Sequence, residues 1–157
     1  MATEVNAKVA HNYGSLGSIP QYAVKIDGYV GLSSAASETV TNYTVNPFNE
    51  DMIILAAYMC ITALDAQDAD LDIGIADDTA AVNAEDNLFD SPANSALGVL
   101  EGLVAKDGIG VSLPIWEASG TATNSYITAQ QNANVDSSDL VYNLILIVAP
   151  YSKFKAT

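Results

Sequence analysis

Met52-Ile53-Ile54-Leu55-Ala56-Ala57-Tyr58-Met59-Cys60-Ile61-Thr62-Ala63-Leu64 is the stretch on which the fold class turns. A run of this length and apolarity suits a buried helix, which Ala and Met favour, or a buried strand. Asp51 is a competent helix cap, so the start of the run does not separate the two. The residues after it do. Leu71, Ile73 and Ile75 interleave with Asp70, Asp72 and Gly74, the period of two that belongs to strands. A buried strand that turns through Asp65 to Asp68 into a half-exposed one makes a hairpin, and the run is read as strand.

The same period appears on both sides of this stretch. Tyr22, Val24 and Ile26 alternate with Ala23, Lys25 and Asp27, which predicts a strand from Gln21 to about Val30, followed by a small-residue loop over Gly31 to Ser37. Val40, Asn42 and Thr44 alternate with Thr41, Tyr43 and Val45, until Pro47 and Asn49-Glu50-Asp51 stop the pattern. Ile109, Val111, Leu113 and Ile115 alternate, and Tyr126 and Thr128 do so more weakly. Near the end, Leu140, Tyr142, Leu144, Leu146 and Val148 share one face, while Val141, Ile145 and Ile147 share the other. Apolar residues on both faces predict a central strand covered on both sides, ended by Pro150. One helix candidate exists. Ser91-Pro92 offers a cap and a first position, and Leu97, Leu100 and Val104 fall at helical spacing, although Gly98 and Gly102 weaken it. A short helix or irregular turn is expected from about Asn94 to Lys106.

About eight strand-like runs and at most one short helix imply an all-β fold, an antiparallel β-sandwich of jelly-roll type. Residues 21–157 form that domain. Residues 1–20 are read as an extended N-terminal arm, because Tyr13, Leu16 and Ile19 are more apolar than a plain linker needs.

Composition narrows the function. The 157 residues carry 19 acids, five lysines and no arginine, a net charge of -14, with 50% hydrophobic residues and mean hydropathy +0.20. Such a chain folds, but it cannot neutralise phosphates, so nucleic acid is excluded as a partner. The longest apolar stretch falls short of the ~20 residues that cross a bilayer, and the first residues lack a signal-peptide pattern, so no membrane partner is expected. One His, one Cys and no Arg leave enzyme chemistry thinly supplied.

Each candidate site meets a plainer reading. Asp65, Asp68, Asp70, Asp72, Asp77, Asp78, Glu85, Asp86 and Asp90 lie in one stretch without lysine. Asp68-x-Asp70-x-Asp72 has calcium-loop spacing, but Ile73 and Thr79 stand where such a loop needs Gly and Glu. A solvated acidic face is favoured over a cation site, and no metal or cofactor is expected. A pair of carboxylates for glycoside hydrolysis can always be found among so many acids, so it carries no signal. No nucleophile elbow is present, and Cys60 sits in the most apolar run as a buried, inert thiol. His11 is read as a surface residue, and Trp116, one step off the Val111/Leu113/Ile115 face, as an exposed ring that with the tyrosines is the hint of a carbohydrate platform. Lys8 and Lys25 precede the expected sandwich and Lys153 and Lys155 follow it, so the termini are basic against an acidic body and are expected to dock first on an acidic surface.

The middle of the chain also resembles a known group. Asp70-Leu71-Asp72-Ile73-Gly74-Ile75-Ala76-Asp77-Asp78 and Glu85-Asp86-Asn87-Leu88-Phe89-Asp90 are similar to a strand, "D-x-G" and "D-N-L-x-D" turn pattern of small structural proteins in tailed bacteriophages. Leu140 to Val148, ending in Ala149-Pro150-Tyr151, is similar to their last strand, so the resemblance spans roughly residues 50 to 150. It implies a capsid decoration (cement) protein: a jelly-roll-like homotrimer on the outer capsid surface of the virion, assembled in the host cytoplasm. Its partners would be itself and the major capsid protein, and its arms would bridge neighbouring capsomers. On that reading the contact candidates are Lys8, His11, Tyr13, Leu16, Ile19, Lys153 and Lys155, with the arm adding a strand to a neighbouring sheet. The alternative is a carbohydrate- or calcium-binding sandwich, such as a receptor-binding head or fibre domain.

Overall fold

Two antiparallel-rich sheets stack face to face. The computed structural model describes residues 2–16, 19–30, 39–63, 71–79, 85–89, 98–102, 113–118, 124–131 and 140–155. Within them lie β1 (Thr3–Glu4), β2 (Lys8–Leu16), β3 (Ile19–Val30), β4 (Thr39–Val45), β5 (Met52–Ala63), β6 (Leu71–Ala76), β7 (Glu85–Phe89), β8 (Gly98–Glu101), β9 (Ile115–Trp116), β10 (Tyr126–Gln131) and β11 (Leu140–Pro150). One sheet has the order β1-β4-β10-β6-β7; the other runs β2-β3-β11-β5-β8, with β9 also on β5.

The order follows from rolling one long ribbon. Strand β6 pairs with β7, β5 with β8 and β9, β4 with β10, and β3 with β11, every pair antiparallel. Alternate pairs fall into opposite sheets, and the roll closes where β11 meets β5 and β10 meets β6. This is the jelly roll that the spacing of strand-like runs predicts. The N-terminal residues close one side of it. Strand β1 lies parallel to β4 at the rim of the first sheet, Val5 N–H donates to the Tyr43 carbonyl at 2.8 Å, and β2 then borders the second sheet. Val5, Ala7 and Val9 pack against the core on the way.

The core is the inner set of alternating side chains. Val24 and Ile26 come from β3; Leu144, Leu146 and Val148 from β11; Leu71, Ile73 and Ile75 from β6; Ile127 from β10. In β5 the inward set is Met52 and Ile54, then Ala57, Met59 and Ile61. The phase slips because β5 carries an extra residue where Val148 pairs with Ile54 and Ile147 with Ala56. Such a bulge turns both Leu55 and Ala56 off the core and strengthens the local twist. That slip also explains why no single period describes the 52–64 run.

Several expectations are corrected. Strands β5 and β6 do not form a hairpin: they belong to different sheets, so the chain crosses between layers after Ala63. The helix expected from Asn94 to Lys106 is not formed at Gly98–Glu101, which is strand β8 on the edge of β5; Asn94 to Leu97 and Leu103 to Lys106 lie outside the described residues. The open rim of β5 offers ladder partners, and glycines at both ends of the segment cost a helix about 1 kcal/mol each. The only helical turn among the described residues is the 3₁₀ turn Tyr151–Lys153. Asp86 to Phe89, matched to a turn by the resemblance, are strand. Asp72 is buried rather than solvated, because both faces of β6 are covered, whereas Asp70 and the loop at 31–37 fall outside the described residues.

Trp116 is fully buried, not an exposed platform. Its Nε1 donates to the Ser125 carbonyl at 3.0 Å, and its own carbonyl accepts from Asn46 Nδ2 at 2.7 Å. Asn46 also donates to the Glu117 carbonyl at 3.0 Å, while its Oδ1 accepts from Phe48 N–H at 2.8 Å. One side chain thus ties the β4–β5 connection to β9. A second tie is steric. Tyr142 on β11 lies across Gly28 on β3, where an added Cβ would come within 2.0 Å of the ring. Burial pushes the Tyr142 phenol well above the usual tyrosine range, against a smaller opposing effect of its hydrogen bond with Asn42.

Two outcomes follow. Asn46→Ala strands buried carbonyls and is expected to lower unfolding stability by about 2 kcal/mol in urea titration; an unchanged midpoint would contradict the tie. For Tyr142, the folded pKa is raised, so its contribution is intact below the unfolded value of about 10 and is lost as pH rises beyond it. Tyr142→Phe should therefore lose less stability than the parent between about pH 9 and pH 11. Equal losses would show that the phenol is not shielded.

Candidate functional site

Pleating sends every second side chain of the β2-β3-β11-β5-β8 sheet outward, and the registers show which of them line up. One row crosses the whole sheet: Lys8, Lys25, Ile145, Tyr58 and Glu101 stand side by side on successive strands. Beside it run Asp27, Asn143, Cys60 and Val99, and on the other side Ala23, Ile147 and Ala56. Ile53 and Ile115 stand beside Ala149, which is buried, as is Ile147. Val99 is 67% exposed and Tyr29, at the far end of β3, 53%. The face therefore carries apolar residues on β11 and β5, with Ile147 buried, and charged ones on β2, β3 and β8.

The basic rim has its own geometry. Lys8 Nζ donates to Asp27 Oδ2, and Lys25 Nζ lies 3.0 Å from Asp27 Oδ1. The Lys8 hydrogen bond, then that of Lys25, holds the Asp27 carboxyl below the usual carboxylate range. All three groups are well exposed, so the trio adds little to stability. A shallow hollow of about 300 Å³ opens beside it, lined by Lys8, Val9, Ala23, Val24, Lys25 and Ile145. Its lining is mostly apolar, with Lys8 and Lys25 at one side.

The residues singled out from sequence do not form one patch. His11 and Tyr13 lie on β2 where the register slips, with His11 to Tyr13 opposite Tyr22 alone. Leu16 ends β2 opposite Ile19, which opens β3. Strand β11 finishes beside Tyr22 and Met52, so Lys153 and Lys155 follow it at that same end of the sandwich. There Tyr151 N–H donates to the Asp51 carbonyl at 2.8 Å, and Lys155 Nζ sits 4.5 Å over the Tyr151 ring. Lys8 and Lys25 are strand residues level with Ile145, not residues before the sandwich, and both are engaged by Asp27. Basic charge is split between two places.

Sequence reading missed Asp27, Tyr58 and Glu101. The signal was present in the second face of β11: Val141, Ile145 and Ile147 imply apolar neighbours on the flanking strands, and pairing supplies them. Among the described residues, no three His, Cys, Asp or Glu side chains cluster as metal ligands. The lone thiol, Cys60, expected to be buried, is only half-buried, because the alternation of β5 turns it to the outer face.

Asp27→Asn is expected to shift the thermal midpoint by no more than ~2 °C, as an exposed ion pair should; a fall of ~10 °C in calorimetry would make the trio a structural element. Comparison of the chain with profiles of known families, with curated proteins and with solved structures finds no match.

Proposed function

We propose that this protein is a structural, non-catalytic component of a bacteriophage particle. It sits on the outer capsid surface, contacts the major capsid protein and bridges neighbouring capsomers as an oligomer, which the resemblance implies to be a homotrimer. The observation that carries this reading is the outward side of β11 and β5, where Ile145, Ala56 and Ile53 are half-buried apolar residues, on a body of net charge -14 without arginine. Apolar contact area with no basic tract suits protein surfaces and disfavours nucleic acid.

The N-terminal segment supports bridging in a modified form. Strand β2 pairs with β3 of its own chain and stands last in its sheet. A neighbour would therefore add to the outer edge of β2, the edge turned away from β3. Repetition over many copies multiplies weak contacts of this kind. The alternative, a carbohydrate- or calcium-binding module, loses Trp116 from its carbohydrate platform, because that ring is internal.

The test is co-sedimentation of the full chain with capsids of its virus stripped of accessory proteins, together with the melting temperature of those capsids. Retention of the protein and a raised capsid melting temperature are expected. Free protein left in the supernatant at both low and high salt would overturn the proposal.

A further inference from the structure

We infer that the outer side of β6 and β10 is a calcium site built on the side-chain oxygens of Asp72, Thr128 and Gln130. It lies on the sheet that the capsid proposal does not use. Register brings the three residues together: Gln130 pairs with Asp72, and Thr128 with Gly74. All three alternate with Leu71, Ile73, Ile127 and Ala129, which face the core, so they share the opposite face of the sheet. That face is covered too. Asp72 is 9% exposed, Gln130 6% and Thr128 0%. A polar side chain at such depth is normally hydrogen-bonded, yet the Thr128 hydroxyl has no partner. Gly74, directly opposite, adds no side chain to meet it.

The chemistry of the donors selects the occupant. One carboxylate and two neutral oxygens, from an amide and a hydroxyl, are hard ligands of the kind calcium takes at about 2.4 Å. Neighbouring and diagonal positions on paired strands are close enough for such side chains to meet at one ion. Further contacts of Asp72 and Gln130 agree with this, since ligating side chains are themselves held by hydrogen bonds. Charge points the same way. A buried carboxylate calls for a positive counterpart or a metal, and no strand of this sheet contains a lysine. Lys8 and Lys25 are engaged by Asp27 on the other sheet, Lys155 lies over Tyr151, and Lys106 is outside the described residues. A body of net charge -14 draws cations towards it. With a single carboxylate the affinity belongs at the weak end, on the order of 10⁻⁴ to 10⁻³ M.

Terbium, a luminescent stand-in for calcium, reads the site in the full chain. Tyr126 lies on the same face two residues from Thr128, near enough to sensitise the emission. Emission should saturate and be displaced by millimolar calcium but not by sodium at matched ionic strength. Calorimetry should show the thermal midpoint rising by about 3–6 °C in ~10 mM calcium. Asp72→Asn should weaken terbium binding about tenfold or more. Thr128→Val guards against a variant that fails to fold: losing an orphan hydroxyl should leave the calcium-free midpoint no lower, while the calcium shift shrinks. Absence of saturable emission, a midpoint raised equally by sodium, or either variant binding terbium like the parent would each overturn the inference. Retention on capsids is a separate reading, so the two proposals fail independently.

Discussion

The pairing of Leu140–Pro150 with a strand on each side is the interaction on which the rest of the molecule depends. Strand β11 runs antiparallel to β3 from Leu140 to Val148 and to β5 from Val141 to Pro150. These two ladders join the first third of the chain, its middle and its end in one sheet. They also close the roll, because β3 and β5 belong to different turns of the ribbon. Tyr142, Leu144, Leu146 and Val148 of β11 are nearly or wholly buried, and burying a Leu or Val contributes about 1.5–3 kcal/mol. Without β11, the β3 and β5 edges would be open and half the core uncovered.

The same ladders fix the outer surface. Register decides which outward residues stand beside each other, so Ile145 sits between Lys25 and Tyr58 and not elsewhere. A slip by one residue would send Leu144 and Leu146 outward and Ile145 inward. The bulge in β5 matters for the same reason: it keeps Met52 and Ile54 inward at one end while Tyr58 and Cys60 face out at the other. Fold and outer surface are two consequences of one alignment.

Strand content was legible wherever alternation was clean. The strands at Tyr22–Val30, Val40–Val45, Leu71–Ile75 and Leu140–Val148 were read from period alone, and Met52–Leu64 from its company. Strand β8 was not, because Leu97, Leu100 and Val104 mimic a helical stripe and only the vacant rim of β5 decides the matter. The layer to which a strand belongs was also hidden: adjacency of β5 and β6 in sequence suggested a hairpin, while the roll sends them to opposite sheets. Trp116 was misjudged since a two-residue strand is too short to establish phase, and its hydrogen bond to Ser125 is invisible in sequence. As for the contact surface, its apolar half could be read from Val141, Ile145 and Ile147. The charged rims needed the register, because Lys8, Lys25 and Glu101 are far apart along the chain.

Native-state hydrogen exchange resolved by residue tests most directly whether β11 is the axis of the roll. Amides of Leu144 to Val148 should exchange only through global unfolding, with those of β2 and β8 at the sheet rims opening earlier and at lower free energy. Protection of β11 no greater than that of the rim strands, or early exchange at Leu146, would contradict a fold organised around it.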